Sequence, residues 1–299
     1  MAAIPTREFA LYSLGGPSPV ANGNCRLPFS PARYSRYKYG SVAAAETFAR
    51  ALGAAFCEAH PEIALAPRLL MAASPYVHVP AAAATLAGRL QPVLNAARAL
   101  HRLDPVPLLR VDRMSTSAGD YGKLSARARD LHMAGNSLSF RRFPAEQARG
   151  AHLLVVDDVR VTGAHQRCLM RASEALSFAA RAFLYIAAFP GQLGQCFDPA
   201  QEDALNHAAV KTLDQLAEIV EAEDFAWNVR VCKFTLSPAN RGELPRFLRR
   251  MPDWFIRDLD ENSRRDGYAR MAPYAPSHSL VRAELGARAG RPLAACPPA

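Results

Sequence analysis

The stretch Leu153–Gly163, LLVVDDVRVTG, decides how the rest of the chain is read. Four apolar residues run straight into two adjacent acids, and a Thr-Gly follows. A short unbroken apolar run with β-branched residues is the pattern of a strand buried on both faces, as in a parallel sheet. Thr162-Gly163 marks a turn, and HQRCLMRASEALSFAA after it reads as a helix. Asp157 and Asp158 therefore sit at the carboxyl end of a strand, just before a helix start. Two like charges side by side repel, and burying either is costly unless something pairs with it. One Asp would be enough to cap a turn, so a pair points to a bound ligand.

Outward from this segment, strand-like and helix-like stretches alternate. RLLMAAS at 68–74, VPLLRVDR at 106–113, SLSF at 137–140, AFLYIAAF at 182–189 and NVRVCKFTLS at 228–237 read as strands. Ser41 can cap a helix whose apolar face carries Ala44, Phe48, Leu52 and Phe56. A second helix is expected from residue 81, with Pro92 as a break, and another over 199–222. The Ser/Gly-rich first half of 114–136 has no periodicity and reads as a loop. Strands alternating with helices imply an α/β fold, a mostly parallel sheet with helices on both faces. Leu244, Phe247, Leu248, Trp254, Phe255 and Leu259 add an amphipathic helical C-terminal extension over 238–275. Residues 1–32, rich in Pro, Gly and Asn, are expected to be irregular, and the tail 276–299 disordered.

Composition narrows the function. The 299 residues include 50% apolar ones, enough for a sizeable core. No apolar run approaches the roughly 18 residues a bilayer span requires, so no membrane is expected. The start lacks a basic segment followed by a long apolar block, so no secretory signal is expected. The six cysteines are scattered without a C-x-x-C pair, which fits reduced thiols in the cytoplasm. The net charge of +9 comes almost wholly from arginine, the only lysines being Lys38, Lys123, Lys211 and Lys233. No basic tail concentrates it, which argues against nucleic acid and suits a polyphosphorylated small substrate.

In an open α/β sheet, ligands bind beyond the carboxyl ends of the strands. The turn VTGAH after the aspartates can aim several backbone N–H groups at one point, and a helix N-terminus favours an anion. Two carboxylates beside an anion cradle suit vicinal hydroxyls one carbon from a phosphate, which describes a ribose 5-phosphate. The rivals fit less well. A response-regulator receiver needs a phospho-accepting Asp after a later strand, and Asp198 follows none. A haloacid-dehalogenase phosphatase needs Asp-x-Asp, and Val159 and Arg160 stand where its second acid would be. GDYGKLS lacks the P-loop spacing.

LLVVDDVRVTGAH resembles the phosphoribosyl-pyrophosphate (PRPP) signature of type I phosphoribosyltransferases. With YKYG at 37–40 and the segment 108–136, the likeness is to the ComF-like branch and covers roughly residues 34–190. The resemblance implies that Asp157 and Asp158 hold the ribose hydroxyls as the catalytic pair. It implies that Val161, Thr162, Gly163, Ala164 and His165 form the loop for the 5-phosphate. Ala73, Ser74, Pro75 and Tyr76 match the pyrophosphate loop, and Arg113, Tyr121 and Lys123 the flexible loop. Mg²⁺ is implied as a bridge between pyrophosphate and ribose oxygens, with no direct protein ligands. Val161 stands where purine-salvage members carry an acidic base, which argues against purine salvage.

The expected arrangement is a phosphoribosyltransferase-like domain over 33–237, followed by the extension. The expected activity is transfer of ribose 5-phosphate from PRPP to a nitrogen nucleophile, releasing pyrophosphate. The alternative is a non-catalytic PRPP-binding or ComF-like accessory protein, connected with DNA uptake or stress. A homodimer is expected, and the acceptor is not legible in the sequence.

Overall fold

The computed structural model describes residues 4–14, 28–114, 116, 138–140, 143–189, 199–222 and 224–289. In chain order the strands are β1 (Thr6–Ser13), β2 (Leu69–Ala73), β3 (Leu108–Leu109), β4 (Asp112–Arg113), β5 (Leu138–Ser139), β6 (His152–Arg160) and β7 (Ala180–Ala188). The helices are α1 (Pro31–Lys38), α2 (Val42–Ala59), α3 (Pro61–Ala64), α4 (Ala82–Leu100), α5 (Ala145–Ala148) and α6 (Ala164–Ala172). They continue with α7 (Pro199–Asn206), α8 (Leu213–Glu221), α9 (Val229–Thr235), α10 (Leu244–Arg250), α11 (Asp253–Arg265) and α12 (Ala275–Ala289).

Five strands form one sheet in the order β1-β7-β6-β2-β3, and every neighbouring pair in it is parallel. The α/β class expected from the sequence is the class observed. Side chains alternate across the sheet as the strand period of two requires. Leu69, Met71, Leu154, Val156, Leu184 and Ile186 point to one face, against Phe48, Leu52 and Phe56 of α2 and Leu86, Leu90 and Leu94 of α4. Leu70, Ala72, Leu153, Val155, Phe183 and Tyr185 point to the other, against Leu169 of α6 and Phe178 in the connection after it. Both faces are covered, which is why β6 reads as an uninterrupted apolar run.

From β2 the chain moves outward to β3, whereas from β6 it moves the other way to β7. The crevice between the carboxyl ends of β2 and β6 is thus the topological switch point, where open α/β sheets bind ligands. The two ends are joined there, with Ser74 N donating to Val156 O at 3.2 Å.

The C-terminal helices build a second core. Leu213, Leu216, Ile219, Val231, Leu244, Phe247, Phe255, Leu259 and Val281 are its buried members, and Tyr39 and Val79 of the first half insert into it. Gly40 sits at the seam with φ +95°, and a Cβ there would meet Ala226 O at 2.5 Å and the Phe225 ring at 2.7 Å. Ala226 N donates to Gly40 O at 2.8 Å, and Val42 N to Asp224 O at 2.8 Å.

Several expectations are corrected. The segment 1–32 is not irregular throughout, because β1 pairs residue for residue with β7, from Thr6 opposite Arg181 to Ser13 opposite Ala188. It is a half-exposed edge strand, so its composition is mixed. Residues 228–237 form the helix α9 rather than a strand; the Asn228 side chain accepts from Arg230 N at 3.0 Å and Val231 N at 3.2 Å, fixing the helix start. The tail is not disordered up to Ala289: α12 buries Val281 in the second core, with Leu280 and Leu285 packed against it, and polar contacts reinforce it. Arg288 donates to Leu248 O at 2.7 Å and Met251 O at 2.9 Å, and His278 Nε2 lies 2.9 Å from Asp260 Oδ1. Pro92 does not break α4, since it lies on the exposed side, where the unpaired carbonyl one turn back can meet water. The 106–113 stretch splits, β3 joining the sheet and β4 pairing antiparallel with β5.

Candidate functional site

The adjacency of Asp157 and Asp158 follows from strand geometry. Consecutive residues of β6 point to opposite faces, so each acid meets a different helix. Asp157 shares a face with Leu153 and Val155 and meets α6, where His165 Nδ1 lies 3.0 Å from its Oδ2. Asp158 faces the other way and forms an ion pair with Lys38 Nζ at the end of α1. Backbone amides complete both sites: Asp158 N donates to Asp157 Oδ1 at 2.9 Å, and Val159 N to Asp158 Oδ1 at 2.7 Å. The repulsion that made the pair improbable is offset by the Lys38 ammonium on one side of the sheet and by the His165 ring and backbone amides on the other.

Burial pushes the Asp157 carboxyl up, but the His165 imidazole and the Asp158 amide outweigh it and leave its pKa below the usual carboxylate value. The phenols of Tyr34, Tyr37 and Tyr185 are raised well above theirs, first by burial and then by the nearby aspartates. They remain neutral at any ordinary pH, so the negative charge at the end of β6 is confined to the carboxylates.

The anion cradle follows directly. Gly163 has φ +70° and precedes the first residue of α6, so the chain turns sharply and presents the amides of the first helical turn. Thr162 Oγ1 accepts from Ala164 N at 3.4 Å, and Arg167 donates to Thr162 O at 2.9 Å. Val161 contributes backbone only, because its side chain is buried in the core. Arg160 pairs with Glu8 of β1 at 3.0 Å, and Gln166 donates to the other Glu8 oxygen at 2.8 Å.

Lys38, the two aspartates and the turn after them line one cavity of about 770 Å³ between the carboxyl edge of the sheet and the C-terminal helices. Ser74, Pro75, Tyr76, Arg113, Asp157, Asp158, Val161, Thr162, Gly163, Ala164 and His165 all lie on its wall. Ala73 does not; it ends β2 inside the core. Tyr121 and Lys123 lie outside the described residues. The loop after β2 is held on its outer side, with Arg113 N donating to Tyr76 O at 3.0 Å and the Arg110 guanidinium 4.4 Å above the Tyr76 ring. Asp266 closes it from the C-terminal half, accepting from His78 N at 2.9 Å and Val79 N at 3.3 Å.

Sequence reading missed Lys38, Arg110, Glu8 and Asp266. Lys38 carried a signal, being one of only four lysines in an arginine-rich chain. All three lysines among the described residues, Lys38, Lys211 and Lys233, line this cavity. Asp266 had no local signal, because its partners are backbone amides nearly two hundred positions away.

Among the described residues no cluster of three or more His, Cys, Asp or Glu side chains could hold a metal. Asp158 is already paired with Lys38 and Asp157 with the His165 ring, which fits an ion carried mainly by substrate oxygens and not one caged by protein. No helix among the described residues is long and apolar enough to cross a membrane.

A family model described as PRTase ComF-like matches residues 7–280. No curated protein matches the chain.

Proposed function

The chain belongs to the ComF-like phosphoribosyltransferase family, and on that premise we propose that the cavity binds PRPP with Mg²⁺ and transfers its ribose 5-phosphate to a nitrogen nucleophile. One observation carries the reading: two acids on opposite faces of β6 meet an N-terminal helix cradle at the switch point of the sheet. Asp157 and Asp158 accept hydrogen bonds from the ribose 2- and 3-hydroxyls. The amides of 161–165 and the Thr162 hydroxyl hold the 5-phosphate. Ser74 to Tyr76 and Arg113 hold the pyrophosphate.

In the reaction the acceptor nitrogen forms a bond to the ribose C1 with its lone pair. The C1–oxygen bond breaks, its electrons leave with pyrophosphate, and any proton on the nitrogen passes to solvent. Positive charge develops at C1 in the transition state, so two adjacent carboxylates stabilise it electrostatically while fixing the ring. Lys38 and His165 orient those carboxylates before substrate arrives. Mg²⁺, when bound, would neutralise the departing pyrophosphate; Asp157 and Asp158 would hold it through the substrate hydroxyls they position and not as direct ligands.

A ligand that binds only the folded state raises stability by RT ln(1 + [L]/Kd), about 2.7 kcal/mol at a hundredfold excess over Kd. PRPP with Mg²⁺ should therefore raise the melting temperature, and the correct base should release pyrophosphate. An unchanged melting temperature at millimolar PRPP would refute the reading. Val161, apolar where a base-contacting acid would stand, favours the second reading of a PRPP-binding accessory protein without turnover. Stabilisation by PRPP without pyrophosphate release across a full base panel would select it.

A further inference from the structure

Asp266 stands where a carboxylate is least expected. It follows the last turn of α11, its N–H donating to Asn262 O at 3.1 Å, and Gly267 then turns the chain away at φ +79°. The carbonyl end of a helix disfavours a negative charge. The residue is also only 4% exposed. Burial holds its carboxyl above the usual carboxylate value, even with the Val79 and His78 amides drawing it back. An acid there serves neither the helix nor the apolar core around it. It serves the loop after β2, whose amides it accepts.

That loop, SPYVHVP at 74–80, is pinned along its length to separate elements. Ser74 N donates to Val156 O of β6 at 3.2 Å, and Tyr76 O accepts from Arg113 N of β4 at 3.0 Å. Val77 O accepts from the Arg110 guanidinium between β3 and β4. His78 N donates to Asp266 Oδ1 at 2.9 Å, and Val79 N lies 3.3 Å from each Asp266 oxygen. Arg265 Nη1 lies 3.0 Å from His78 Nε2, a second contact from the end of α11. Pro80 O accepts from Val229 N at 2.8 Å. The Asp266 carbonyl is used as well: Thr116 Oγ1, three residues past β4, donates to it at 2.8 Å. A single turn of the helical half thus holds two stretches that line the cavity, the loop after β2 and the chain after β4.

Resting on the PRPP reading, we propose that Asp266 is a positioning residue for the pyrophosphate of PRPP. Its carboxylate fixes the backbone of the loop after β2 and its carbonyl fixes Thr116, so the helical half sets the geometry in which the pyrophosphate is received. Asp266 acts through the loop and does not touch the ligand. The 5-phosphate cradle is set by other contacts, the Gly163 turn and the bond from Arg167 to Thr162 O. The effect of Asp266 is therefore confined to one end of the substrate. The role needs an acceptor oxygen and not a charge, because Oδ1 alone reaches both amides.

The test uses the full chain with Mg²⁺ and three probes, PRPP, inorganic pyrophosphate and ribose 5-phosphate, with affinities read by calorimetry. Asp266→Ala should weaken PRPP and pyrophosphate by about 10-fold or more, the scale on which misplaced positioning groups act. Ribose 5-phosphate affinity should be unchanged. Asp266→Asn should retain the wild-type affinities for all three probes. Thr116→Val should weaken PRPP and pyrophosphate by about 3-fold or more, the scale of one hydrogen bond, again sparing ribose 5-phosphate. Equal loss of pyrophosphate and ribose 5-phosphate in Asp266→Ala, no loss of either, or Asp266→Asn behaving as Asp266→Ala would overturn the inference. Should Asp266→Ala not fold, Thr116→Val decides: unchanged pyrophosphate affinity, or an equal loss of ribose 5-phosphate, overturns it. A wild type that binds ribose 5-phosphate as tightly as PRPP has no pyrophosphate site to position and overturns it too. If the wild type binds neither PRPP nor ribose 5-phosphate, the PRPP reading falls first and takes this one with it.

Discussion

At the scale of single residues, the acids of β6 are held in two ways, Asp158 by the Lys38 ammonium and Asp157 by the His165 ring. Lys38 and Asp158 are each largely buried, with side chains 11% and 15% exposed. Removing one member of such a pair leaves the other uncompensated, which costs on the order of 3 kcal/mol. Asp158→Asn should therefore destabilise the fold more than Lys38→Met with Asp158→Asn together, a coupling that a double-mutant cycle in urea would measure. Asp157 sets a pH dependence. Its folded pKa lies below the unfolded value, so its contribution is complete above the unfolded value and is lost as pH falls through the folded one. The melting temperature of wild type should converge on that of Asp157→Asn below about pH 4, the ordinary carboxylate range; a gap that widens on acidification would contradict this. For function, the double variant Asp157→Asn with Asp158→Asn should keep its far-UV circular dichroism and lose PRPP-dependent stabilisation.

At the scale of elements, the sequence was most legible where one physical rule dominated. β6 had burial on both faces, α2 had a Ser41 cap and a clean apolar face, and both were readable. The helix α9 was misread because its valines alternate by chance, while the Asn228 cap that decides the matter resembles an ordinary loop residue. The edge strand β1 and the polar-anchored α12 depend on partners far along the chain. The candidate site shows the same division: the acids and cradle are contiguous and were visible, and the Lys38 cation that pairs with Asp158 comes from α1. Gly40 is a test of one junction. Its φ of +95° and the 2.5 Å approach to Ala226 O leave no room for a side chain. The backbone conformation alone costs a non-glycine residue about 1–3 kcal/mol. Gly40→Ala should lower the melting temperature by roughly 5 °C or more; an unchanged melting temperature would show that the close approach at the seam has no structural role.

At the scale of the whole molecule, two cores share members. Tyr39 follows α1 and Val79 follows β2, yet both are buried among the C-terminal helices. The expectation is a single cooperative transition. Both tryptophans, Trp227 and Trp254, pack around Phe255 in the second core, so their fluorescence reports that half alone. Fluorescence and circular dichroism should give coincident urea curves. An earlier fluorescence transition would mean that the helical half unfolds by itself and that the cavity wall is a separable part.

The pairing of β1 with β7 also bears on how the chain is made. Thr6 must wait for Arg181 before it has a partner. At ribosomal speeds of about 5–20 residues per second, that wait lasts roughly 10–35 s. During it β2, β6 and their helices can assemble, while the first strand trails without a ladder to join. The β1 edge of the sheet is therefore sealed only once β7 has been made, by a segment synthesised well before it.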